Sequence, residues 1–289
     1  MKLKYLAALL FPLCVFFMFH TAQAAEGDIY IVEVADAISP GTAEFIQNSI
    51  ARAEAEQAAC IIIELDTPGG LAESMRLIIQ DILASKVPVV VYVSPSGARA
   101  ASAGVMITMA ADIAAMAPST NIGAAHPVGA GGKDISGKMS EKVINDMVAH
   151  AKSVAEERGR NKEWVEQAIR ESVSVTETEA LKENIIDLVA KDTDDLIRQL
   201  KGRTIKGKGV LTLDKAEKVV VKPSLRTKIL KTISNPNIAY ILLMIGFAGL
   251  YFELSHPGAI FPGVIGGIAL VLAFFALQTP VSYTHLTLP

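Results

Sequence analysis

Four short apolar runs, at residues 28–34, 60–65, 87–93 and 113–117, alternate with segments of helical spacing, and this alternation constrains the fold most. Residues 28–34 alternate apolar side chains as a strand does, and Cys60-Ile-Ile-Ile-Glu-Leu65 and Val87-Pro-Val-Val-Val-Tyr-Val93 read as buried strands. The proline of the third run stands near its start, where a strand tolerates one. Between the runs, residues 40–57 carry Ala43, Phe45, Ile46 and Ile50 at helical spacing, and a second helix is expected over 71–85. Strands and helices of these lengths in alternation imply an α/β domain. Its strand-to-helix turns should cluster at one edge of the sheet, where open α/β sheets place their sites.

Two of those turns carry chemistry. Asp66-Thr67-Pro68-Gly69-Gly70 is a sharp turn in which two glycines permit positive φ and present bare backbone N–H groups. The stretch Gly97-Ala-Arg-Ala-Ala-Ser-Ala-Gly-Val-Met-Ile-Thr108 follows a Ser-Pro-Ser turn and reads as the start of an Ala-rich helix running to Ala111. Ser102 falls where strand gives way to helix, between Ala101, Ala103 and Gly104, which leave room for a substrate backbone. A helix start also offers free N–H groups to a developing oxyanion. Taken alone, Ser102 reads as a small residue of a tightly packed helix, and the Pro-Gly-Gly turn as a turn only.

Residues 127–141 are Gly-rich and aperiodic, lack the spacing of a phosphate loop, and suit a lid or clamp beside a site. A helix is expected from about 140 to 157, with Ile144, Met147, Val148, Ala151, Val154 and Ala155 as its buried stripe. That start puts Lys142 in the first turn, next to the stripe, where a cation is disfavoured by the helix N-terminus and by burial. Such a lysine can serve as a base; Lys138 and Lys133 are the competing candidates by composition. Downstream, residues 161–200 read as short helices with a strand at 185–189, and Thr176-Glu-Thr-Glu179 as a capped helix start. Residues 202–221 read as a β-ribbon.

The ends differ from this middle. Lys2 and Lys4, the apolar stretch 5–19 and Ala22-Gln23-Ala24 read as a secretory signal peptide over 1–24, with the mature chain starting at Ala25. Phe11-Pro12-Leu13 offers no small residues for lipoprotein processing at Cys14. Residues 238–252 and 260–277 are two almost wholly apolar stretches, joined by Leu254-Ser-His-Pro-Gly258, and read as a transmembrane hairpin over 236–280. Lys222, Arg226, Lys228 and Lys231 precede it on the side expected to be exported, against the positive-inside tendency. The domains expected are thus 25–222, a linker 223–235, the hairpin, and an atypical tail 281–289. The net charge of −3 gives no electrostatic case for nucleic acid. With Cys14 in the leader, Cys60 is the one thiol of the mature chain, which excludes an internal disulfide and a thiolate metal site.

Together these pieces resemble the membrane-bound serine proteases of the NfeD family, in the long form encoded beside stomatin-like proteins. The matching stretches are Glu64-Leu-Asp-Thr-Pro-Gly-Gly-Leu71, Ala100-Ala-Ser-Ala-Gly104, Met116-Ala-Pro-Ser-Thr-Asn-Ile-Gly123, and Lys142 with Ala151-Lys-Ser-Val-Ala-Glu-Glu-Arg-Gly-Arg-Asn161. The resemblance implies a ClpP/crotonase-like α/β fold, also used by signal peptide peptidase A. It implies Ser102 as nucleophile, Lys142 as base, and oxyanion donors from Gly69 or Gly70 and from Ala103. It selects Lys142 over Lys138. It further implies a protease needing no metal or cofactor, a stomatin-like membrane protein as substrate or partner, and a homo-oligomer, a dimer first. Long-form members continue to further spans and an OB-type barrel, so the tail here is expected to mark an incomplete sequence. A crotonase-like acyl-CoA enzyme, disfavoured by export, and a non-catalytic membrane scaffold are the alternatives.

Overall fold

The computed structural model describes residues 27–129, 137–233, 236–256 and 260–278. The expected leader, the tail and Lys133 lie outside those residues. The central element is a six-stranded sheet in the order β11-β1-β2-β3-β5-β8, made of β1 Ile29–Val34, β2 Cys60–Leu65, β3 Val89–Val93, β5 Ile113–Met116, β8 Leu188–Val189 and β11 Lys218–Val221. Every pairing in it is parallel. Parallel sheets are covered on both faces, which is why these strands read as near-continuous apolar runs.

One face carries Tyr30, Val32, Val34, Ile61, Ile63, Leu65, Val91 and Val93 under five helices. These are α1 Pro40–Ala55, α2 Ala72–Ala84, α3 Ala103–Ala110, α4 Lys138–Glu157 and α5 Lys162–Arg170. α1 starts as its sequence asks, with Ser39 Oγ accepting from the Thr42 N–H (3.2 Å) and Pro40 in the first turn. The other face buries Ile29, Ile31, Ile62, Val90 and Tyr92 beneath Leu196 and Leu200 of α7 (Thr193–Leu200) and beneath Ile205, Leu211 and Leu213. On the first face, where Ala180 is buried, α6 (Glu177–Lys182) opens with the capping box expected of Thr176 and Glu179.

Three expectations are corrected. The segment after residue 97 is not directly helical: β4 (Arg99–Ala101) comes first and forms a small second sheet with β6 (Asn121–Gly123) and β7 (Ser174–Thr176). Residues 218–221 leave the expected ribbon and pair in parallel with β1, Ile29 opposite Lys218, because Val221 points into the core. Only β9 (Thr204–Ile205) and β10 (Gly209–Val210) form a hairpin. The strand expected at 185–189 shortens to Leu188–Val189, since the Ile185 and Ile186 N–H groups donate back to Ala180 O and the Asp187 side chain takes the Ala114 N–H (2.6 Å) in place of a backbone carbonyl.

Beyond the domain come α8 (Leu225–Ile233), α9 (Pro236–Ser255) and α10 (Ile260–Gln278). Asn237–Ser255 is long and apolar enough to cross a membrane; Phe261–Phe275 is a shorter apolar helix. The two pack closely through glycines. A Cβ on Gly249 would stand 2.5 Å from the Pro262 carbonyl oxygen and 2.8 Å from Gly266 Cα, contacts that only bare backbone permits. Met244 and Phe261 turn outward, about three-quarters exposed in the absence of lipid.

Candidate active site

The turns after β1, β2 and β3 meet at the carboxyl edge of the sheet, as a parallel sheet requires. The turn after β2 is docked from two sides. Thr67 N–H donates to Arg99 O (2.8 Å) and Ala101 N–H to Thr67 O (3.1 Å), tying it to β4. Ile38 N–H donates to Gly69 O and Leu71 N–H to Ile38 O, both at 2.8 Å, tying it to the turn after β1. Thr67 is fully buried, and its Oγ1 accepts from the Gly69 N–H (3.1 Å). Gly104 makes room for it: a Cβ there would lie 2.7 Å from Thr67 Cγ2.

This scaffold presses the glycine turn onto Ser102. Gly69 has φ +112°, and a Cβ on it would fall 2.6 Å from Ser102 Cβ and 3.1 Å from Ser102 Oγ. Gly70, at φ +159°, packs so tightly on Ile38 that a Cβ would meet its carbonyl oxygen at 2.2 Å. Ser102 is the N-cap of α3 and holds φ 53°, ψ −113°, a conformation that L-residues rarely adopt. Its own N–H donates to Gly123 O (3.1 Å), and Val105 N–H donates to its carbonyl (3.0 Å). The hydroxyl is thus half-exposed on a strained strand-to-helix junction, and its side chain caps nothing.

Among the described residues the N–H groups of Gly70, Ala103 and Gly104 have no partner. Gly69 N–H is engaged by Thr67. The arrangement sets Gly69 against Ser102, and the N–H groups of the neighbouring Gly70 and Ala103 stay uncommitted. Uncommitted N–H groups are what a developing oxyanion would need.

Lys142 stands differently from expectation. Gly137, at φ +70°, starts α4 at Lys138, two residues earlier than the apolar pattern indicates, so Lys142 lies one turn into the helix and not in the first turn. The stripe itself is as expected: Val148, Ala151, Val154 and Ala155 are buried, with Ile144 and Met147 packed at its margin. Two residues before Ile144 is about 200° around a helix, which puts Lys142 on the opposite, exposed face. Asp146, one turn on, is taken by Arg76 of α2. Among the described residues neither Lys142 nor Lys138 makes an ion pair, and neither hydrogen bonds to Ser102.

The other end of α3 carries residues that sequence reasoning left without a role. Arg158 Nε donates to Ala110 O, and Arg160 Nη1 to Met109 O and Ala111 O, each at 2.7 Å. Arg160 pairs with Asp187 (2.6 Å); Asp112, its side chain fully buried, pairs with Arg158 (2.7 Å) and Lys208 (2.6 Å). The available signal was two arginines flanking a glycine at a helix C-terminus, where Gly159 indeed takes φ +66°. Among the described residues no group of three or more His, Cys, Asp and Glu stands together as a metal site. Burial pushes the Cys60 thiol up to about 12, so it is inert.

Comparison with known proteins agrees with this architecture. Residues 28–221 match the N-terminal domain of NfeD1b, and 237–288 the NfeD integral membrane domain. The chain is 38% identical over 257 residues to membrane-bound protease PH1510 of Pyrococcus horikoshii, covering 86% of this chain and 58% of that protein. It is 30% identical over 263 residues to membrane protein NfeD1b of Bacillus subtilis, covering 88% and 57%. It therefore spans less than two-thirds of either relative. Among solved structures, the 1510-N membrane-bound stomatin-specific protease, as a lysine-to-alanine variant with a substrate peptide, superposes with TM-score 0.67 at 37% identity, over 72% of this chain and 98% of that one. A serine-to-alanine variant of the same protease gives 0.64 at 38%, over 69% and 100%. The α/β protease fold and the apolar C-terminal helices are those expected, and the chain belongs to the NfeD family.

Proposed function

We propose that this chain is a membrane-anchored serine endopeptidase in which Ser102 is the nucleophile and Lys142 the base, acting on apolar segments of a stomatin-like membrane protein. The observation that carries the reading is Ser102 itself: a non-glycine residue held at positive φ on a helix N-cap, against Gly69, with the unpartnered N–H groups of Gly70 and Ala103 beside it. Strain of this kind persists where a site requires it. In 1510-N, specific for a stomatin homologue, the substituted serine and lysine are 41 positions apart. Here Lys142 follows Ser102 by 40 positions and Lys138 by 36, which supports Lys142.

The reaction is acyl transfer. The Lys142 amine takes the Ser102 proton as Oγ attacks the peptide carbonyl. Gly70 and Ala103 N–H groups hold the oxyanion, the lysine returns its proton to the leaving amine, and water then hydrolyses the ester. Lys142 is exposed in the uncovered chain, so the bound peptide itself supplies the desolvation that a neutral lysine requires. The protease unit is 25–222, carried by the apolar segment 236–280. The leader supports an exported protease domain, and a homo-oligomer, a dimer first, is the assembly proposed.

The test is cleavage of apolar peptides by the membrane-extracted chain, with products mapped by mass spectrometry. Ser102→Ala should lose cleavage by about a thousandfold or more with its melting temperature unchanged. Lys142→Arg should be equally inactive, since guanidinium keeps its proton. Lys138→Ala should retain the chemical step. Wild-type cleavage by Ser102→Ala or Lys142→Arg would overturn the assignment.

A further inference from the structure

The helix α8 joins the α/β domain to the first apolar helix, with only residues 234–235 between it and α9. Its start is fixed by Ser224, whose Oγ accepts from the Thr227 N–H (3.1 Å) and whose carbonyl accepts from the Lys228 N–H (2.9 Å). One side faces protein: α8 lies against α1, and Thr227 is 3% exposed.

Among the described residues the opposite side is left largely uncovered. Leu225 and Ile229 are 79% and 58% exposed, and residues four apart share a helix face. Ile233 extends the same line, half-buried. By helical geometry, Arg226 falls on one flank of that stripe and Lys228 on the other, both exposed, with exposed Lys222 just upstream. Arg226 touches Glu44 at 3.4 Å yet keeps most of its side chain in solvent. An apolar stripe bordered by cations is the composition of a helix lying in a membrane interface.

We propose that α8 is an interfacial helix, with Leu225 and Ile229 in the headgroup–acyl boundary and Lys222, Arg226 and Lys228 on anionic lipid headgroups. Two observations select a lipid surface as the occupant. The helix runs directly into α9, which places it at the bilayer, and its charge complements acidic headgroups. This role also accounts for cations that precede the span against the positive-inside tendency: they serve the surface and do not set topology. The proposal is independent of the Ser102 and Lys142 assignments.

The test uses the full chain in a Cys14→Ser background, reconstituted in phosphatidylcholine vesicles with or without phosphatidylglycerol. A fluorophore is placed through Leu225→Cys or Ile229→Cys, with Glu171→Cys, an exposed site on the α/β domain, as control. Buried Cys60 does not compete for label. Lipid-borne nitroxide should quench positions 225 and 229 far more than 171, most strongly in the anionic vesicles. Each of Lys222→Gln, Arg226→Gln and Lys228→Gln should lower the bound-to-free ratio of the helix about fivefold there. Free access of aqueous iodide to 225 and 229, as at 171, would overturn the proposal. So would protection from iodide without quenching from lipid, which would mean that a second copy covers the face, or quenching indifferent to the three substitutions.

Discussion

The two ends of α3 are built to opposite rules. At its C-terminus the carbonyls of Met109, Ala110 and Ala111 are each met by a guanidinium, and the guanidinia are held by buried Asp112 and by Asp187. At its N-terminus Ser102 is strained, its hydroxyl caps nothing, and the Ala103 N–H is unpartnered. A helix needs partners at both ends, and withholding them costs stability. Here the closed end fixes the rod, so the open end can keep N–H groups uncommitted, as the proposed site requires. Fold stability should therefore reside at one end and rate at the other.

The largest test of that division is Arg160→Met, which strips three hydrogen bonds and leaves Asp187 without its guanidinium. Breaking a buried ion pair costs about 3–5 kcal/mol, and a domain of this size should lose on the order of 10 °C in melting temperature. The molecules that remain folded should cleave at near the wild-type rate. A large fall in kcat with an unchanged melting temperature would reverse the roles of the two ends.

Gly69→Ala sharpens the other half. Its methyl would collide with Ser102, and strain at φ +112° adds about 1–3 kcal/mol. Displacing the proposed nucleophile should lower kcat/KM by about a hundredfold, more than its melting shift would account for. Equal loss in the two measurements would show that the turn is scaffold only.

The smallest effect concerns His150, midway along α4 between Lys142 and Arg158. Burial holds this imidazole below its ordinary range; Arg76 pushes the same way and Asp146 opposes them. The folded protein thus takes up a proton here less readily than the unfolded chain. Above about pH 6.5 the group is neutral in both and contributes nothing; as pH falls below that value stability is lost. His150→Gln should flatten the acid side of the melting-temperature profile slightly, and an unchanged acid slope would rule out His150 as the cause.

What the sequence disclosed follows from how each feature is encoded. Cys60–Leu65 and the 87–93 run were legible because a strand buried on both faces must be apolar throughout. The α6 cap was legible because Thr176 and Glu179 act within one turn. β4, β6 and β7 were not, since three residues are too few to show a period. The site was half legible. Small residues around Ser102 and the paired glycines announced a close approach, but the capture of Gly69 N–H by Thr67 is a side-chain choice that composition does not carry. Lys142 was misplaced because the buried stripe of α4 fixes its face but not its first residue, and Gly137 starts it early.

The pairing of β1 with β11 has a consequence for how the chain is made. Ile29 and Lys218 are neighbours in the sheet, so its first strand waits beside an open edge while nearly the whole domain is synthesised. By the time Val221 can close that edge, only α8 separates the ribosome's next output from the apolar helix that enters the bilayer. Domain completion and membrane insertion are therefore almost simultaneous events. A delay in either exposes an unpaired, apolar β1 edge to other unfolded chains.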